Sequence, residues 1–348
     1  MNPPIQTALC SFGMSGKVFH APFIAANKGY NLYGVFERSK KTAKEIYPEV
    51  KSFDALEEML TDETIELIIV NTPNATHFDY TKKALLAGKH VIVEKPFVIN
   101  SKEGAELIAL AKEQQKKISV YHNRRYDSDA KLLKKVVKEN LLGEIGEAEL
   151  HYDRFKKELS PKLHKETPGP GAGLLYDLGS HLIDEALQLF GKPEAVFADN
   201  TIIRSFSKVD DYFEILLYYP QKRVRLKASN QVREAVPAFV LHGSKGSLLK
   251  SRADVQENDL INGKIPGSDN WGVEHENEKG LLHTEKENKV IREYIAPLPG
   301  NYMEYFDQMY RAIRQNEPVP VSAEEGLEVI RMIETALKSN SERKVINY

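Results

Sequence analysis

Three side chains in this 348-residue sequence have the types and positions for proton-transfer chemistry: Lys95, Asp177 and His181. Lys95 follows Val91-Ile92-Val93, a β-branched apolar run that predicts a short buried strand. Because Pro96 cannot continue a strand ladder, Lys95 falls at the carboxyl end of that strand, the edge where open α/β sheets bind ligands. The alternative is a strand that simply ends in a solvated lysine.

Asp177 and His181 lie four residues apart where apolar residues recur at helical spacing, which predicts one helix over residues 177–190. Side chains at this spacing share a helix face, so the carboxylate can fix the tautomer and orientation of the imidazole. The alternative is the wet face of a surface helix. A metal site that adds His164 lacks zinc-like spacing, and we predict no metal.

The elements that would position these groups begin with a glycine turn. Thr7-Ala8-Leu9-Cys10 predicts a first strand, and Ser11-Phe12-Gly13-Met14-Ser15-Gly16 leads from it into a helix. Gly13 would let the backbone approach a pyrophosphate, Gly16 would allow close packing of helix on strand, and free N–H groups at the helix start favour phosphate. Ser11 replaces the first glycine of this dinucleotide fingerprint, and a plain turn is the alternative. We predict that Ser11, Gly13, Met14, Ser15 and Gly16 bind a dinucleotide.

The second predicted strand, residues 31–36, ends in a mixed pair of charges. Glu37 stands where an acidic residue accepts hydrogen bonds from the ribose hydroxyls of NAD. Arg38, with Lys40 and Lys41 nearby, could instead bind the 2′-phosphate of NADP. The choice between NAD and NADP stays open at this point, and a solvated charge cluster is the alternative.

Two domains are predicted. Six strand candidates alternate with helices over the first 120 or so residues, which predicts a doubly wound parallel sheet; Ser101 is expected to cap one of the helices. Beyond Val120 the strands follow one another as in a mostly antiparallel sheet, whereas Arg252–Lys286 is polar and predicted to be irregular. We place the boundary near Asn123, which gives domains 1–123 and 124–348.

Composition excludes several classes of protein. Hydrophobic residues make up 41% and charged residues 28%, with a formal net charge of -2, so there is no electrostatic footprint for nucleic acid. The single cysteine, Cys10, permits neither an intramolecular disulfide nor a cysteine zinc cluster. No apolar stretch reaches the length of a membrane span, and the first residues lack the pattern of a signal peptide. A cytoplasmic protein is therefore expected.

The order of the motifs resembles the Gfo/Idh/MocA oxidoreductase family. The glycine turn comes first, Glu94-Lys95-Pro96 closes a strand, and Asp177-x-Gly179-x-His181-x-x-Asp184 follows in the second domain. Three segments further resemble the branch that contains NADP-dependent scyllo-inositol dehydrogenases: Val18-Phe19-His20-Ala21-Pro22, Tyr121-His122-Asn123-Arg124-Arg125-Tyr126-Asp127 and Leu175-Tyr176-Asp177-Leu178-Gly179-Ser180-His181. Ser11 and the acidic Glu37 depart from the pattern of that branch.

The resemblance implies a fold, an activity and a set of site residues. The fold is an N-terminal Rossmann domain followed by an α/β domain whose large antiparallel sheet forms a homodimer or homotetramer. The activity is NAD(P)-dependent hydride transfer with the secondary hydroxyl or ketone of a cyclic polyol or sugar. Lys95 would lie near the nicotinamide ribose and the substrate hydroxyl, and His181 would be the general acid/base, oriented by Asp177. The implied cofactor residues are Thr72, Asn74, His77, Glu94, Asn123 and Arg124, and the candidate substrate residues are Tyr152, Arg154, Tyr176 and Trp271.

Two other classes of function remain possible at this point. A regulator could retain the dinucleotide domain without turnover, although it would not need the lysine, aspartate and histidine together. A redox-neutral glycosidase could use NAD catalytically, and it would cleave glycosides without accumulating reduced cofactor. A shared fold hosts many chemistries, so the distinction must come from activity.

Overall fold

The computed structural model describes residues 3–38, 41–160 and 163–348, with only the backbone described at 163 and 164. The chain divides into two compact units. The N-terminal unit comprises Met1–Asn123, Gln256–Trp271 and Asn301–Glu328, and the C-terminal unit comprises Arg124–Val255, Gly272–Gly300 and Val329–Tyr348. The N-terminal unit thus includes two segments from late in the sequence.

The N-terminal unit contains a six-stranded parallel sheet. Its strands are β1 (Ile5–Leu9), β2 (Tyr30–Phe36), β3 (Lys51–Phe53), β4 (Leu67–Val70), β5 (His90–Glu94) and β6 (Ile118–Tyr121). The spatial order is β3-β2-β1-β4-β5-β6, the doubly wound order of dinucleotide-binding folds. Every residue of β4 is buried, as expected for a parallel sheet covered on both faces. The predicted fold class is therefore confirmed for this unit.

The helices lie between and after these strands. In chain order they are α1 (Ala21–Ala26), α2 (Ala43–Ile46), α3 (Leu56–Thr61), α4 (His77–Leu86), α5 (Ser101–Glu113), α6 (Ser128–Lys138), α7 (Leu163–Glu166), α8 (Ser180–Phe190), α9 (Gln256–Ile261), α10 (Met303–Arg314) and α11 (Ala323–Glu342). In the described parts of the chain, no helix is both long enough and apolar enough to cross a bilayer.

The predicted cap of α5 was wrong by one residue. The residue before the helix, Asn100, has extended backbone geometry, and its side chain accepts a hydrogen bond from the Glu103 N–H at 3.1 Å. Ser101 is instead the first helical residue. Serine and asparagine are both good caps, so adjacent candidates cannot be separated by residue type alone.

The C-terminal unit contains a nine-stranded sheet. Its strands are β7 (Ile145–His151), β8 (Ala195–Thr201), β9 (Tyr212–Tyr219), β10 (Lys222–Ser229), β11 (Phe239–Gly243), β12 (Gly246–Lys250), β13 (Gly280–Lys286), β14 (Lys289–Ile295) and β15 (Ile346–Asn347). The order is β14-β13-β12-β11-β7-β10-β9-β8-β15. Only the β7–β10 pair is parallel among these neighbours, so the predicted mostly antiparallel sheet is confirmed.

The prediction that Arg252–Lys286 is irregular was wrong in two places. Helix α9 lies within it, and β13 begins at Gly280 and pairs with β14 in antiparallel register. Glu287 and Asn288 join the two strands, and both have positive φ (52° and 62°), as a type I′ hairpin turn requires. Because β13 and β14 are rich in charged side chains, their sequences lack the apolar alternation by which a strand is recognised.

Candidate functional site

The glycine turn after β1 is fixed by a clamp between Ser11 and Asn71. The Ser11 N–H donates to Asn71 Oδ1 at 3.0 Å, the Ser11 hydroxyl donates to the Asn71 carbonyl at 2.8 Å, and Asn71 Nδ2 donates to the Ser11 carbonyl at 2.9 Å. Serine therefore does more here than replace a glycine, because its hydroxyl joins the ends of β1 and β4. The sequence analysis did not identify Asn71, whose only local signal is its position directly after an apolar strand.

The same turn has the shape that a dinucleotide requires. A Cβ on Gly16 would lie 2.5 Å from the Ser11 carbonyl oxygen, so only glycine allows the helix to pack this closely on the strand. A Cβ on Gly13 would meet no atom within 4 Å, so the backbone there is open to a ligand. Met14 is exposed and Ser15 is half-buried beside this opening, and a π-helical turn, Gly16–His20, continues into α1. These residues fit the predicted pyrophosphate cradle.

The carboxylate of Glu94, at the end of β5, connects this turn with the strand that carries Lys95. Its Oε1 accepts a hydrogen bond from the Ser15 hydroxyl at 2.5 Å and lies 2.9 Å from His20 Nε2, and its Oε2 accepts from the Lys95 N–H at 3.2 Å. Burial alone would raise the pKa of Glu94, but the contacts with His20 and Ser15 outweigh it and hold the pKa at about 2.

His20 was not predicted as a site residue. It is fully buried, its ring centroid lies 4.5 Å from that of Tyr121, and the Tyr121 hydroxyl donates to the Phe19 carbonyl at 3.0 Å. The sequence analysis used Val18-Phe19-His20-Ala21-Pro22 only as a segment of family resemblance, and nothing local marked its histidine as a site residue. The imidazole thus packs against an aromatic ring at the end of β6 while it holds Glu94.

Glu37, at the end of β2, binds its own chain. Its carboxylate accepts hydrogen bonds from the Thr42 N–H, the Thr42 hydroxyl and the Ala43 N–H, each at 3.1 Å. A carboxylate accepts about four hydrogen bonds, so these contacts leave about one position for a ribose hydroxyl. Arg38 is exposed beside it, Lys41 forms an ion pair with Asp54 at 2.6 Å, and Lys40 lies outside the described residues.

The loop after β4 contains the predicted residues Thr72, Asn74 and His77. The Thr76 hydroxyl donates to the Thr72 hydroxyl at 2.6 Å, and Asn74 begins a short 3₁₀ turn. The two ring nitrogens of His77 lie 2.8 Å from the Pro96 carbonyl and 2.9 Å from the Thr72 carbonyl. His77 therefore bridges the loops that follow β4 and β5, and the peptide bond between Lys95 and Pro96 is cis.

Two further predicted residues of the N-terminal unit are buried. Asn123 begins the 3₁₀ turn that follows β6 and is 7% exposed. Trp271 is 8% exposed, packs edge-on against Phe23 with ring centroids 6.1 Å apart, and donates its indole N–H to Gln256 Oε1 at 3.2 Å. These contacts explain the tryptophan by packing within the N-terminal unit.

In the C-terminal unit, the helix predicted over residues 177–190 does not begin at Asp177. Residues Leu175–Gly179 form a π-helical turn, and α8 starts at Ser180. The regular α-helical spacing on which the prediction relied therefore begins only at Ser180. Asp177 accepts a hydrogen bond from the Lys165 ammonium at 2.6 Å, and His181 lies buried in the first turn of α8. The side chain of His164, the weighed metal candidate, is outside the described residues.

Tyr152 lies at the centre of the predicted substrate residues of this unit. Its ring centroid is 6.3 Å from that of His181, and the guanidinium groups of Arg154 and Arg124 lie 5.1 and 5.9 Å from it. Tyr176 lies in the π turn, next to Asp177. Tyr152 therefore lies close to both Arg154 and His181.

Two buried ion pairs hold helix α8 in place. Arg125 donates to the Asp184 carboxylate at 2.9 and 2.6 Å, and Arg252 donates to Glu185 at 2.8 and 2.9 Å. Such bidentate pairs fix geometry as well as charge. Arg125 and Arg252 were not among the predicted site residues, and a dense polar segment after a strand was the only signal for the first of them.

Comparison with known proteins identifies the family. Residues 5–122 match the model described as "Oxidoreductase family, NAD-binding Rossmann fold", and residues 134–348 match its C-terminal alpha/beta domain. The chain is 35% identical over 342 residues to scyllo-inositol 2-dehydrogenase (NADP(+)) of Bacillus subtilis (98% of this chain, 95% of the relative) and 36% identical over 346 residues to an uncharacterized oxidoreductase, YdgJ, of Escherichia coli (99% of each). A solved oxidoreductase from Bacillus cereus covers 99% of this chain and 98% of its own, with a TM-score of 0.91 and 32% identity. The chain therefore belongs to the Gfo/Idh/MocA family and is an NAD(P)-binding oxidoreductase.

Proposed function

We propose that this protein is an NAD(P)-dependent dehydrogenase that acts on the secondary hydroxyl or ketone of a cyclic polyol or sugar. The observation that carries the substrate class is the match to the scyllo-inositol dehydrogenase, which extends over 98% of this chain at 35% identity. A match of that extent includes the motifs of both units rather than the dinucleotide domain alone. It therefore favours an enzyme over a regulator that has kept only cofactor binding.

The N-terminal unit would hold the cofactor. We assign the pyrophosphate to the turn from Ser11 to Gly16, because its backbone is open at Gly13 and its shape is fixed by Asn71. The cofactor, when bound, accepts or supplies a hydride. Glu94 would keep the Ser15 side of the turn and the backbone of Lys95 in fixed positions, since it bonds to both.

Three side chains would take part in proton transfer from or to the substrate hydroxyl. An imidazole titrates near neutral pH, so His181 is assigned as the general acid/base. Asp177, which precedes it in the π turn, would position substrate and imidazole, and Lys95 would stabilise developing negative charge on the substrate oxygen. Tyr152, whose ring lies beside that of His181, and Arg154, which stacks on the Tyr152 ring, are assigned to substrate binding.

The test is cofactor reduction by the purified full-length protein with NAD or NADP and a panel of inositols and sugars. His181→Ala and Lys95→Ala should each lower kcat by about 10²- to 10⁴-fold, the usual contribution of general acid–base catalysis. His275→Ala and Lys102→Ala, which change exposed residues outside the nine-stranded sheet, are the matched controls. Full activity of either site variant would refute its assigned role.

The same panel separates the other two functions. Cofactor binding, followed by quenching of protein fluorescence, without turnover of any substrate would indicate a regulator. Cleavage of a glycoside without accumulation of reduced cofactor would indicate a redox-neutral glycosidase. Turnover with only one of the two cofactors would also identify the preferred one. Turnover with NADP would favour the role given to Arg38, and turnover with NAD would favour the role given to Glu37.

The outer face of the nine-stranded sheet supports the proposed homodimer or homotetramer. One row of directly paired residues crosses eight strands of this sheet: Phe197, Leu216, Arg225, Glu149, Val240, Leu249, Leu281 and Tyr294. Six of these side chains are apolar or aromatic, and Tyr294 is 64% exposed. The ion-paired Arg225 and Glu149 divide the row into two apolar parts. Apolar surface of this kind is typical of a face that a second protein copy covers.

A further inference from the structure

A cavity in the C-terminal unit is lined in part by Asp177, in the π turn that precedes helix α8. It is partly open to solvent and has a volume of about 130 Å³, and its walls include Arg154, Lys156, Lys165 and Asp177. On the same scale one water molecule needs about 10–15 Å³, so the cavity has room for a phosphate or carboxylate group and part of a sugar ring. Asp177 connects it to the proposed catalytic residues.

The carboxylates that line this cavity already have partners. Asp177 accepts from Lys165 at 2.6 Å, and Glu166 accepts from the Ser160 N–H at 2.8 Å. Asp210 accepts from the Leu175 N–H at 2.8 Å, and its other oxygen lies against Gly173, where a Cβ would be only 1.9 Å away. Burial raises the pKa of Asp210 to about 6.

Two cations on the same walls lack such partners. Among the residues that the structure describes, no carboxylate lies within ion-pair distance of Arg154 or Lys156, and both side chains are half-buried. Arg154 stacks on the Tyr152 ring, which leaves the hydrogen-bonding edge of its guanidinium without a carboxylate. Burial, and then the charge of Arg154, lower the pKa of Lys156. Two like charges held together at a partly buried wall are unfavourable unless an anion joins them.

We propose that this cavity is a subsite for an anionic group on the substrate, so that the enzyme acts on a phosphorylated sugar or polyol or on a sugar acid. Arg154 and Lys156 would donate to the oxyanion, and Tyr152, which lies between Arg154 and His181, would set its distance from the reacting hydroxyl. The proposal deepens the proposed function and rests on it for the reaction. Its ionic part stands on the cavity alone.

The first experiment measures binding, so that it does not depend on turnover. Glucose, glucose 6-phosphate and glucuronate are titrated into the full-length protein by calorimetry, with saturating NADP present to occupy the phosphate-binding turn. We expect one of the two anionic sugars to bind at least 10-fold more tightly than glucose. Comparison of the phosphate with the carboxylate identifies the preferred anion. Equal affinity for all three sugars would overturn the proposal.

Variants then locate the binding. Lys156→Met removes one charged donor and should weaken the preferred anionic sugar by about 10- to 100-fold, the usual loss for a hydrogen bond to a charged group. Lys156→Arg should restore most of the affinity, and Lys157→Met, which changes the exposed neighbouring lysine, should bind as the wild type does. If Lys156→Met and Lys157→Met behave alike, the anion binds elsewhere and the subsite is refuted.

Turnover separates this proposal from the proposed function. Where the enzyme reduces cofactor, the ratio of kcat/KM for the anionic sugar to that for the neutral sugar should fall in Lys156→Met through a higher KM. Equal turnover of neutral and anionic sugars would refute the subsite and leave the dehydrogenase intact. Tight anion binding without turnover of any sugar would support the subsite and refute the dehydrogenase.

Discussion

Replacing Gly16 with alanine would place a methyl group 2.5 Å from the Ser11 carbonyl oxygen and 3.0 Å from Asn71 Nδ2. Neither neighbour can withdraw freely, because three hydrogen bonds join Ser11 to Asn71. Relief therefore requires the helix start to move away from β1. Such overpacking costs about 1–3 kcal/mol, while alanine returns up to about 1 kcal/mol through its higher helix propensity.

Gly13→Ala is the matched variant in the same turn. Its methyl group would meet no protein atom within 4 Å, and its φ is not in the left-handed region. Alanine at a compatible position leaves the free energy of unfolding unchanged or raises it by up to about 1 kcal/mol. The methyl group would, however, occupy the open side of the backbone that we assign to the pyrophosphate.

The two variants should therefore separate folding from cofactor binding. Urea unfolding followed by circular dichroism should show a net loss of about 1–2 kcal/mol for Gly16→Ala and no loss for Gly13→Ala. Titration with NADPH should show weaker binding in both, with Gly13→Ala affected despite its intact stability. Wild-type stability of Gly16→Ala would refute the close-packing argument, and wild-type cofactor affinity of Gly13→Ala would refute the assignment of the turn.

Two further variants test the buried charges. The folded-state pKa of Glu94, about 2, lies below its ordinary 4.5, so its stabilising effect is complete above pH 4.5 and is lost as pH falls towards 2. In Glu94→Gln, the free energy of unfolding should therefore change less between pH 4.5 and pH 2 than in the wild type, by an amount on the order of 3 kcal/mol. Parallel pH profiles of the two proteins would contradict this. Asp184→Asn leaves Arg125 charged and buried and should cost about 3–5 kcal/mol in urea unfolding. The exposed Asp199–Arg343 pair is the control, for which Asp199→Asn should cost about 0–1 kcal/mol, and equal losses would refute the role of burial.

The sequence predicted those features that depend on local pattern. The apolar run before Lys95 and the spacing of Gly13 and Gly16 were enough to predict strand β5 and the glycine turn. Contacts between distant residues left no such pattern. Ser11 and Asn71 are 60 residues apart, and His20 and Glu94 are 74 apart, so no local window could reveal either pair.

Local pattern also misleads where two structures share it. A π turn and an α-helix place apolar residues at nearly the same spacing, so the start of α8 was predicted too early. An acidic residue after β2 is equally suited to a ribose hydroxyl and to a helix start, and only the structure shows that Glu37 accepts from Thr42 and Ala43. The resemblance named Trp271 as a substrate residue, and only the structure shows that it packs against Phe23 and donates to Gln256.

The N-terminal unit is built from segments that lie far apart in the sequence, and this has a consequence during protein synthesis. The edge strand β6 is covered by a segment that the ribosome makes much later: the Ser119 hydroxyl donates to the Val321 carbonyl at 2.8 Å, across 202 residues of sequence. Val120 donates its N–H to the same carbonyl at 3.1 Å, and Gly326 packs against the Val120 side chain. At about 5–20 residues per second, β6 emerges roughly 10–40 s before its cover. The first unit to begin on the nascent chain is therefore completed only after residues up to Glu328 have been made. Its open strand edge is exposed to chaperones or to other nascent chains throughout that interval.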